Sequence, residues 1–369
     1  MKNILADRTQ LIDASGIRKV FALAAKMKNP VNFSIGQPDF DVPQVLKEKA
    51  IRAIQDGHNR YSQTAGEGEL QQKVTELIKN EFGWQNPSTI ITSGVSGGIF
   101  LTLMSMLNPG DEVIMPDPYF VIYKHIINLL GAKCVYVDSY PDFDLPVEKI
   151  EKAITDKTKL IVLNSPSNPT GIVYAEEKIK ALAKAAAKKD ICVISDEIYD
   201  KFCYDYTCPS IAKFYDKTIL LRGFSKTYAM TGWRLGYAAV SESLAHLAEQ
   251  MIKIQQYTFV CAPTPFQVAA TDALDYDVSG LVAQYKIKRD MIYNGLKDKF
   301  EINKPGGAFY AFVKAPNGSG SKFVEKAIEN NVLIIPGNVF SEKDTHFRIS
   351  YATTNEKIQE GIEILNKLV

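Results

Sequence analysis

A lysine in a turn of small residues is the first group in this chain whose position suggests chemistry. The apolar run Ile219-Leu220-Leu221 leads into Gly223-Phe224-Ser225-Lys226-Thr227, Arg234 follows eight positions after the lysine, and a second apolar run opens at Leu235. Taken alone, Lys226 is a solvated loop charge, the tail of a nucleotide-binding loop, or an amine reserved for chemistry. The second option fails on spacing, because G-x-x-x-x-G-K-[ST] needs a glycine directly before the lysine and Ser225 stands there. A second cation, Arg348, sits inside the apolar run His346-Phe347-Arg348-Ile349-Ser350-Tyr351. A buried arginine without a partner is costly, so a carboxylate of the protein or of a substrate must meet it. Gly94-Val95-Ser96-Gly97 at the start of a helical pattern supplies backbone N–H groups and a hydroxyl suited to a phosphate. Its glycines do not spell the dinucleotide fingerprint G-x-G-x-x-G.

These residues need a scaffold, and the hydrophobic pattern supplies one. Strand-like runs at 90–93, 111–115, 133–137, 159–164, 191–195, 218–221 and 236–240 alternate with helical segments such as 43–56, 68–82 and 175–189. Such alternation predicts an α/β fold with a mostly parallel sheet covered by helices on both faces. In such a sheet ligands bind beyond the carboxyl ends of the strands. At those ends lie Asn168, within Asn164-Ser165-Pro166-Ser167-Asn168-Pro169-Thr170-Gly171, and Asp196 and Tyr199, within Ser195-Asp196-Glu197-Ile198-Tyr199. Each has an ordinary alternative, since Asn-Pro and Thr-Gly are good turn chemistry and an aspartate at a strand end commonly caps a helix. A long helical stretch runs from about 267 towards 299. The pattern then shortens to strands near 307–313, 332–335 and 346–350 and helices near 322–330 and 356–368, which predicts a small α+β domain. The segment from 10 to 28 has helical spacing, and 31–39 reads as a short strand breaking into a turn.

The combination N-P-T-G, D-x-x-Y, the turn around Lys226 with Arg234, and F-R-I-S spans nearly the whole chain and resembles the class I/II aminotransferases, pyridoxal 5'-phosphate (PLP) enzymes of fold type I. The resemblance implies that Lys226 holds the cofactor as an imine and that Arg234, Ser225, Val95 and Ser96 surround its phosphate. Asp196 would accept a hydrogen bond from the protonated pyridine nitrogen, keeping the ring an electron sink. Asn168 and Tyr199 would donate to the cofactor's 3-oxygen, Tyr119 of Pro116-Asp117-Pro118-Tyr119-Phe120 would stack on the ring, and Tyr61 would reach a partner subunit's phosphate. On the substrate side, Arg348 and Asn168 would hold the α-carboxylate, with Gly36 adding a backbone donor and Ile17 lining the pocket. Tyr119, Tyr257, Phe259 and Tyr310 are candidate apolar walls. The implied domains are 36–285, binding the cofactor, and a small domain made of 1–35 and 286–369. The implied assembly is a homodimer with its active sites at the interface. Two positions depart from the family pattern: Gly223 stands where some relatives carry a phosphate-binding serine, and Ser96 where aspartate-specific relatives place a lysine.

Bulk properties agree with a small-molecule enzyme. The chain has 369 residues, 46% hydrophobic and 23% charged, with a formal charge of +1, which gives no electrostatic footprint for nucleic acid or an anionic membrane. Five cysteines, none in a C-x-x-C pair, suggest neither a disulfide framework nor a metal site, and a cytoplasmic location is expected. The predicted reaction is amino-group transfer between an α-amino acid and an α-keto acid, with the neutral Lys226 amine moving the proton. A C–S lyase of the same fold remains an alternative, since its cofactor residues would be the same. A regulatory domain that binds PLP without catalysis would not need both Lys226 and Arg348, and a nicotinamide dehydrogenase lacks its glycine fingerprint here.

Overall fold

The apolar runs form strands because their alternating side chains are buried on both faces of one sheet. The computed structural model describes residues 4–13, 16, 20 and 27–369. After a short 3-10 helix at Asp7–Leu11, the first strands and α-helices bounded within the described residues are, in chain order, β1 (Val31–Asn32), α1 (Gln44–Gln55), α2 (Gly68–Phe82), β2 (Ser88–Ser93), α3 (Gly94–Met106), β3 (Glu112–Asp117) and α4 (Ile122–Leu129). There follow β4 (Lys133–Asp138), α5 (Val147–Ala153), β5 (Thr158–Asn164), α6 (Glu176–Lys188), β6 (Cys192–Asp196), β7 (Thr218–Gly223) and β8 (Leu235–Val240). The chain continues through α7 (Ala245–Thr258), α8 (Thr264–Ala273), α9 (Ser279–Leu296), β9 (Tyr310–Lys314) and α10 (Gly320–Glu329). It ends with β10 (Val332–Leu333), β11 (Ile335–Pro336), β12 (His346–Ser350) and α11 (Asn355–Lys367).

Seven strands make the main sheet in the order β2-β8-β7-β6-β5-β3-β4. In β5, Leu160 and Val162 join the core on one face and Ile161 and Leu163 the core on the other. In β7, Ile219 and Leu221 face one side and Leu220 the other. That period of two, apolar throughout, is what a strand needs when helices cover both faces.

The sheet is mostly parallel, as expected, with one strand running against the rest. β8 runs antiparallel to both β2 and β7, with Ser93 opposite Leu235 and Gly223 opposite Gly236. The reversal brings the start of β8, and Arg234 before it, to the edge where β2, β5, β6 and β7 end. Two glycines allow α3 to sit on that edge. A Cβ at Gly236 would lie 2.7 Å from the Gly94 carbonyl carbon and the Val95 nitrogen, and Gly94 itself has φ +69°, a left-handed conformation that favours glycine.

The remaining strands form two small sheets, antiparallel β11-β12-β9 and parallel β1-β10, the latter pairing Val31 with Val332. The expected strand at 31–39 is thus confined to Val31–Asn32, and the expected long helix after 267 is broken between α8 and α9. Most of the helical pattern expected at 10–28 lies outside the described residues. Cys203 and Cys208 form a disulfide with Cα atoms 5.9 Å apart, a pairing the scattered cysteine spacing did not suggest, while Cys134, Cys192 and Cys261 are free. Among the described residues no helix is long and apolar enough to cross a membrane.

Candidate active site

Above the shared strand edge lies a cavity of about 270 Å³ into which the ends of β5, β6 and β7 and the N-terminus of α3 open. Lys226, three residues beyond β7, lines it, and its Nζ donates to the Gly36 carbonyl at 2.6 Å. Burial, with the Arg348 and Arg234 guanidinium groups nearby, pushes this amine down to about 8, so a neutral amine is accessible near physiological pH. Gly36 therefore meets Lys226 with its carbonyl, and a Cβ there would press to 2.5 Å from the Tyr310 hydroxyl.

Asp196, the last residue of β6, is 2% exposed. Its Oδ2 accepts from the Tyr123 hydroxyl at 2.6 Å and its Oδ1 from the Ile198 backbone N–H at 3.2 Å. Burial pushes the carboxyl up to about 6. Tyr199 turns its hydroxyl to that of Tyr310, 2.9 Å away, and both rings line the cavity. Asn164 and Asn168 brace the neighbouring loop, the Asn164 Oδ1 accepting from the Asn168 backbone N–H at 2.9 Å.

Arg348 is the residue whose surroundings point most directly to a ligand. It is 1% exposed and lines the cavity, with its guanidinium over the rings of Tyr310 and Phe340 at 4.5 and 4.6 Å. Nη1 donates to Asn168 Oδ1 at 3.0 Å and Nη2 to the Ser34 carbonyl at 2.8 Å, both neutral acceptors. Its Nε is buried with no hydrogen-bond partner. Among the described residues no carboxylate forms an ion pair with it. Of the two partners expected from the sequence, the protein's own carboxylate is therefore ruled out among those residues.

At the opposite side, the first-turn amides of α3 and the Arg234 guanidinium face each other so closely that a Cβ at Gly94 would lie 2.8 Å from Arg234 Nη2. Arg234 holds φ +57°, a conformation that non-glycine residues adopt at a cost and keep at functional sites. Val95, Ser96, Ser225 and Arg234 all line the cavity. A helix N-terminus joined to a guanidinium and a hydroxyl is a fit for a phosphate dianion. With Lys226 and Asp196 on the same cavity, the residues present fit PLP. Gly223 needs its lack of a side chain, since a Cβ there would come within 3.1 Å of Gly236 Cα, the Leu235 carbonyl oxygen and Val95 Cγ2.

Several expected residues lie elsewhere. The aromatic wall of the cavity is Phe120, whereas Tyr119 stacks on Tyr136 with centroids 4.8 Å apart and donates to Glu342 Oε1 at 2.7 Å. Tyr119 is thereby corrected to Phe120 as the residue placed to cover a ring, because the turn after β3 carries the first of two adjacent aromatics away from the cavity. Tyr61 is 82% exposed and Tyr257 81%, and neither lines this cavity; Phe259 packs edge-on against Phe100 outside it. Tyr310 alone of the four candidate apolar walls lines it. Ile17 lies outside the described residues. Tyr123 and the Ser34 carbonyl were not foreseen. Tyr123, in the first turn of α4, follows Phe120 by three residues, and that aromatic spacing just beyond a strand end could have drawn attention to it.

Residues 28–365 match the family model for aminotransferases of class I and II. The chain belongs to that family. It is 42% identical to a probable aspartate aminotransferase of Methanocaldococcus jannaschii, over 99% of this chain and 100% of that protein. It is 36% identical to aromatic-amino-acid aminotransferase 2 of Thermococcus litoralis, over 99% and 98% of the two chains. The solved aspartate aminotransferase of Thermus thermophilus with maleate is 32% identical, covers 100% of both chains and superposes with a TM-score of 0.94. The aminotransferase described here is accordingly a PLP-dependent enzyme that exchanges amino groups between α-amino and α-keto acids, on an α/β fold with a mostly parallel central sheet.

Proposed function

We propose that this aminotransferase takes neutral and aromatic L-amino acids as donors, holding their α-carboxylate on Arg348 with Asn168 beside it. The observation that carries the reading is the buried Arg348 guanidinium, open to the cavity and met by no carboxylate among the described residues. Bound there, a carboxylate would take a charge-assisted, two-pronged hydrogen bond. The bound cofactor supplies an electron sink for the electrons of the substrate's α-carbon. With the cofactor bound, Lys226 Nζ would take and return the proton at that carbon, Asp196 would accept a hydrogen bond from the protonated pyridine nitrogen, and Tyr199 and Asn168 would donate to the 3-oxygen. Phe120 would cover the ring, and Val95, Ser96, Ser225 and Arg234 would hold the phosphate.

The donor range follows from a count of cations on the cavity: Lys226, Arg234 and Arg348. Each has a role above, so none among the described residues is left for a second substrate carboxylate, and Ser96 puts a hydroxyl where a lysine could have stood. Arg18, which the sequence offers as a further cation for a distal substrate carboxylate, lies outside the described residues. A second reading, aspartate as donor with 2-oxoglutarate as acceptor, is favoured by the names of the relatives in Methanocaldococcus and Thermus. Comparing kcat/KM for phenylalanine, tyrosine, alanine and aspartate separates the two. A missing cation costs aspartate roughly tenfold or more against neutral donors, and aspartate as the best donor by that margin would refute the neutral reading.

The same proposal assigns residues 36–285 to the cofactor-binding domain and 1–35 with 286–369 to the small one. It makes the working unit a homodimer, since the exposed Tyr61 and Tyr257 rings do not line the active-site cavity of their own subunit. A cytoplasmic location goes with small charged α-amino and α-keto acid substrates.

A further inference from the structure

We propose that Tyr123 is a positioning residue that keeps Asp196 ionised and aimed at the cofactor's ring nitrogen, while its ring edge braces Phe120 on the covering wall. The proposal rests on the reading of Asp196 given above. Tyr123 is 1% exposed and does not line the main cavity, so it acts through its neighbours. Its hydroxyl donates to Asp196 Oδ2 at 2.6 Å, and its ring meets Phe120 edge to face, with centroids 5.9 Å apart at 88°. It belongs to α4, a different element from the one that carries Asp196, so the bond also fixes the carboxylate's plane from behind.

The physical need is plain. A carboxylate almost wholly out of water prefers its neutral form, and a neutral carboxyl gives up the charge that holds a protonated ring nitrogen. Among the described residues the Asp196 carboxylate receives two hydrogen bonds, from the Ile198 N–H and from Tyr123, and the phenol's is the shorter. The other charged or titratable groups bearing on Asp196 and Tyr123 are Lys226 beyond β7, Glu197 and Tyr199 beside it on the β6 continuation, and Tyr174 ahead of α6. Glu197 is engaged with Arg222 at 2.8 Å and with the hydroxyls of Ser195 and Ser210, and Tyr199 with Tyr310, so neither replaces the Tyr123 donor.

The test loads wild-type, Tyr123→Phe, Asp196→Asn and doubly substituted protein with PLP carrying ¹⁵N in the ring. The ring-nitrogen resonance and the cofactor dissociation constant are then read at neutral pH. Wild type should show the protonated resonance and Asp196→Asn the unprotonated one. Tyr123→Phe should move towards the unprotonated value with cofactor bound about tenfold more weakly, the size of one lost hydrogen bond to a charge. The double variant should be no worse than Asp196→Asn alone, because the two residues act in series. If Asp196→Asn moves the resonance and Tyr123→Phe does not, the proposal falls while the reading of Asp196 stands, even if Tyr123→Phe melts earlier. If Asp196→Asn leaves the resonance unmoved, the reading of the site itself fails and the proposal with it. Placing 3-fluorotyrosine at 123 keeps both the packing and a donor to Asp196, so the protonated resonance and the cofactor affinity at neutral pH should stay at their wild-type values; their loss in this variant overturns the proposal.

Discussion

Replacing Arg348 by methionine separates a ligand-binding arginine from a structural one. Two hydrogen bonds to an anionic carboxylate contribute on the order of 1.5 kcal/mol each at the low end, so about 3 kcal/mol of carboxylate binding should vanish with the guanidinium, roughly a 100-fold weakening. Folding should respond far less. The variant loses the guanidinium's contacts with the Tyr310 and Phe340 rings, on the order of 1 kcal/mol each. It also frees Asn168 Oδ1, which faces the cavity and can be rewetted, and the Ser34 carbonyl. Against these losses stands relief from keeping an unneutralised charge buried. The net change in unfolding free energy should stay within about 2 kcal/mol, whereas removing one partner of a buried ion pair costs about 3–5 kcal/mol. The assay is thermal and denaturant unfolding of the apoprotein with and without 3-phenylpropionate, a carboxylate that lacks the amino group. Wild type should gain stability with the ligand and Arg348→Met should not. A variant destabilised by several kcal/mol that still answers to the ligand would refute the reasoning.

Further expectations follow from the same site. Lys226→Ala should lose both the borohydride-reducible adduct with PLP and transamination, and survival of that adduct would remove the lysine from its role. Asp196→Asn should retain cofactor, measured by absorbance after gel filtration, while most turnover is lost; near-normal turnover would show that the ring nitrogen is not the electron sink. Lys226 is a base whose folded value is lowered from its ordinary 10.5 to about 8. The unfolded chain therefore holds more protons between those values, so the apoprotein's stability should rise with pH from about 8 to about 10.5. That rise should flatten in Lys226→Met, and an unchanged slope across denaturation curves would count against the lowered amine.

Much of the main sheet was legible because its signal is local. Runs such as Leu160-Ile161-Val162-Leu163 are apolar at every position, and only a strand covered on both faces uses such a run. Strand direction was not legible, since β8 has the same composition whether it runs with its neighbours or against them. Its reversal depends on the short connection from β7 through the Lys226 turn, and that connection puts Lys226 and Arg234 on one edge. The site residues at strand ends could be placed because a strand end is visible in sequence. Which of two adjacent aromatics faces inward past that end could not, and Tyr119 and Phe120 exchanged roles accordingly. The Cys203–Cys208 link and the Tyr123–Asp196 bond were hidden for different reasons. The first depends on the course of a loop, and the second joins residues 73 apart in sequence.

Among the described residues, the three most deeply buried arginines show how pairing distinguishes structural from proposed functional roles. Arg222 binds Glu81 through both terminal nitrogens at 2.7 Å and Glu197 at 2.8 Å, and it stays deep in the protein with its charge answered. Arg289 is answered in the same way by Asp205 at 3.0 Å and Asp290 at 2.8 Å. Arg348 is as buried as Arg289, yet its bonds go to an amide and a backbone carbonyl, and one of its nitrogens has no partner. Among the described residues, carboxylates answer two buried arginines and none answers the third, where it borders the cavity that holds Lys226. Neutral acceptors orient the guanidinium without cancelling its charge, so the attraction for an incoming carboxylate is kept. A built-in glutamate or aspartate would stabilise the arginine and compete with the substrate for it. On the proposed reading, the missing counter-charge is the part of the site that would select an amino acid over an amine.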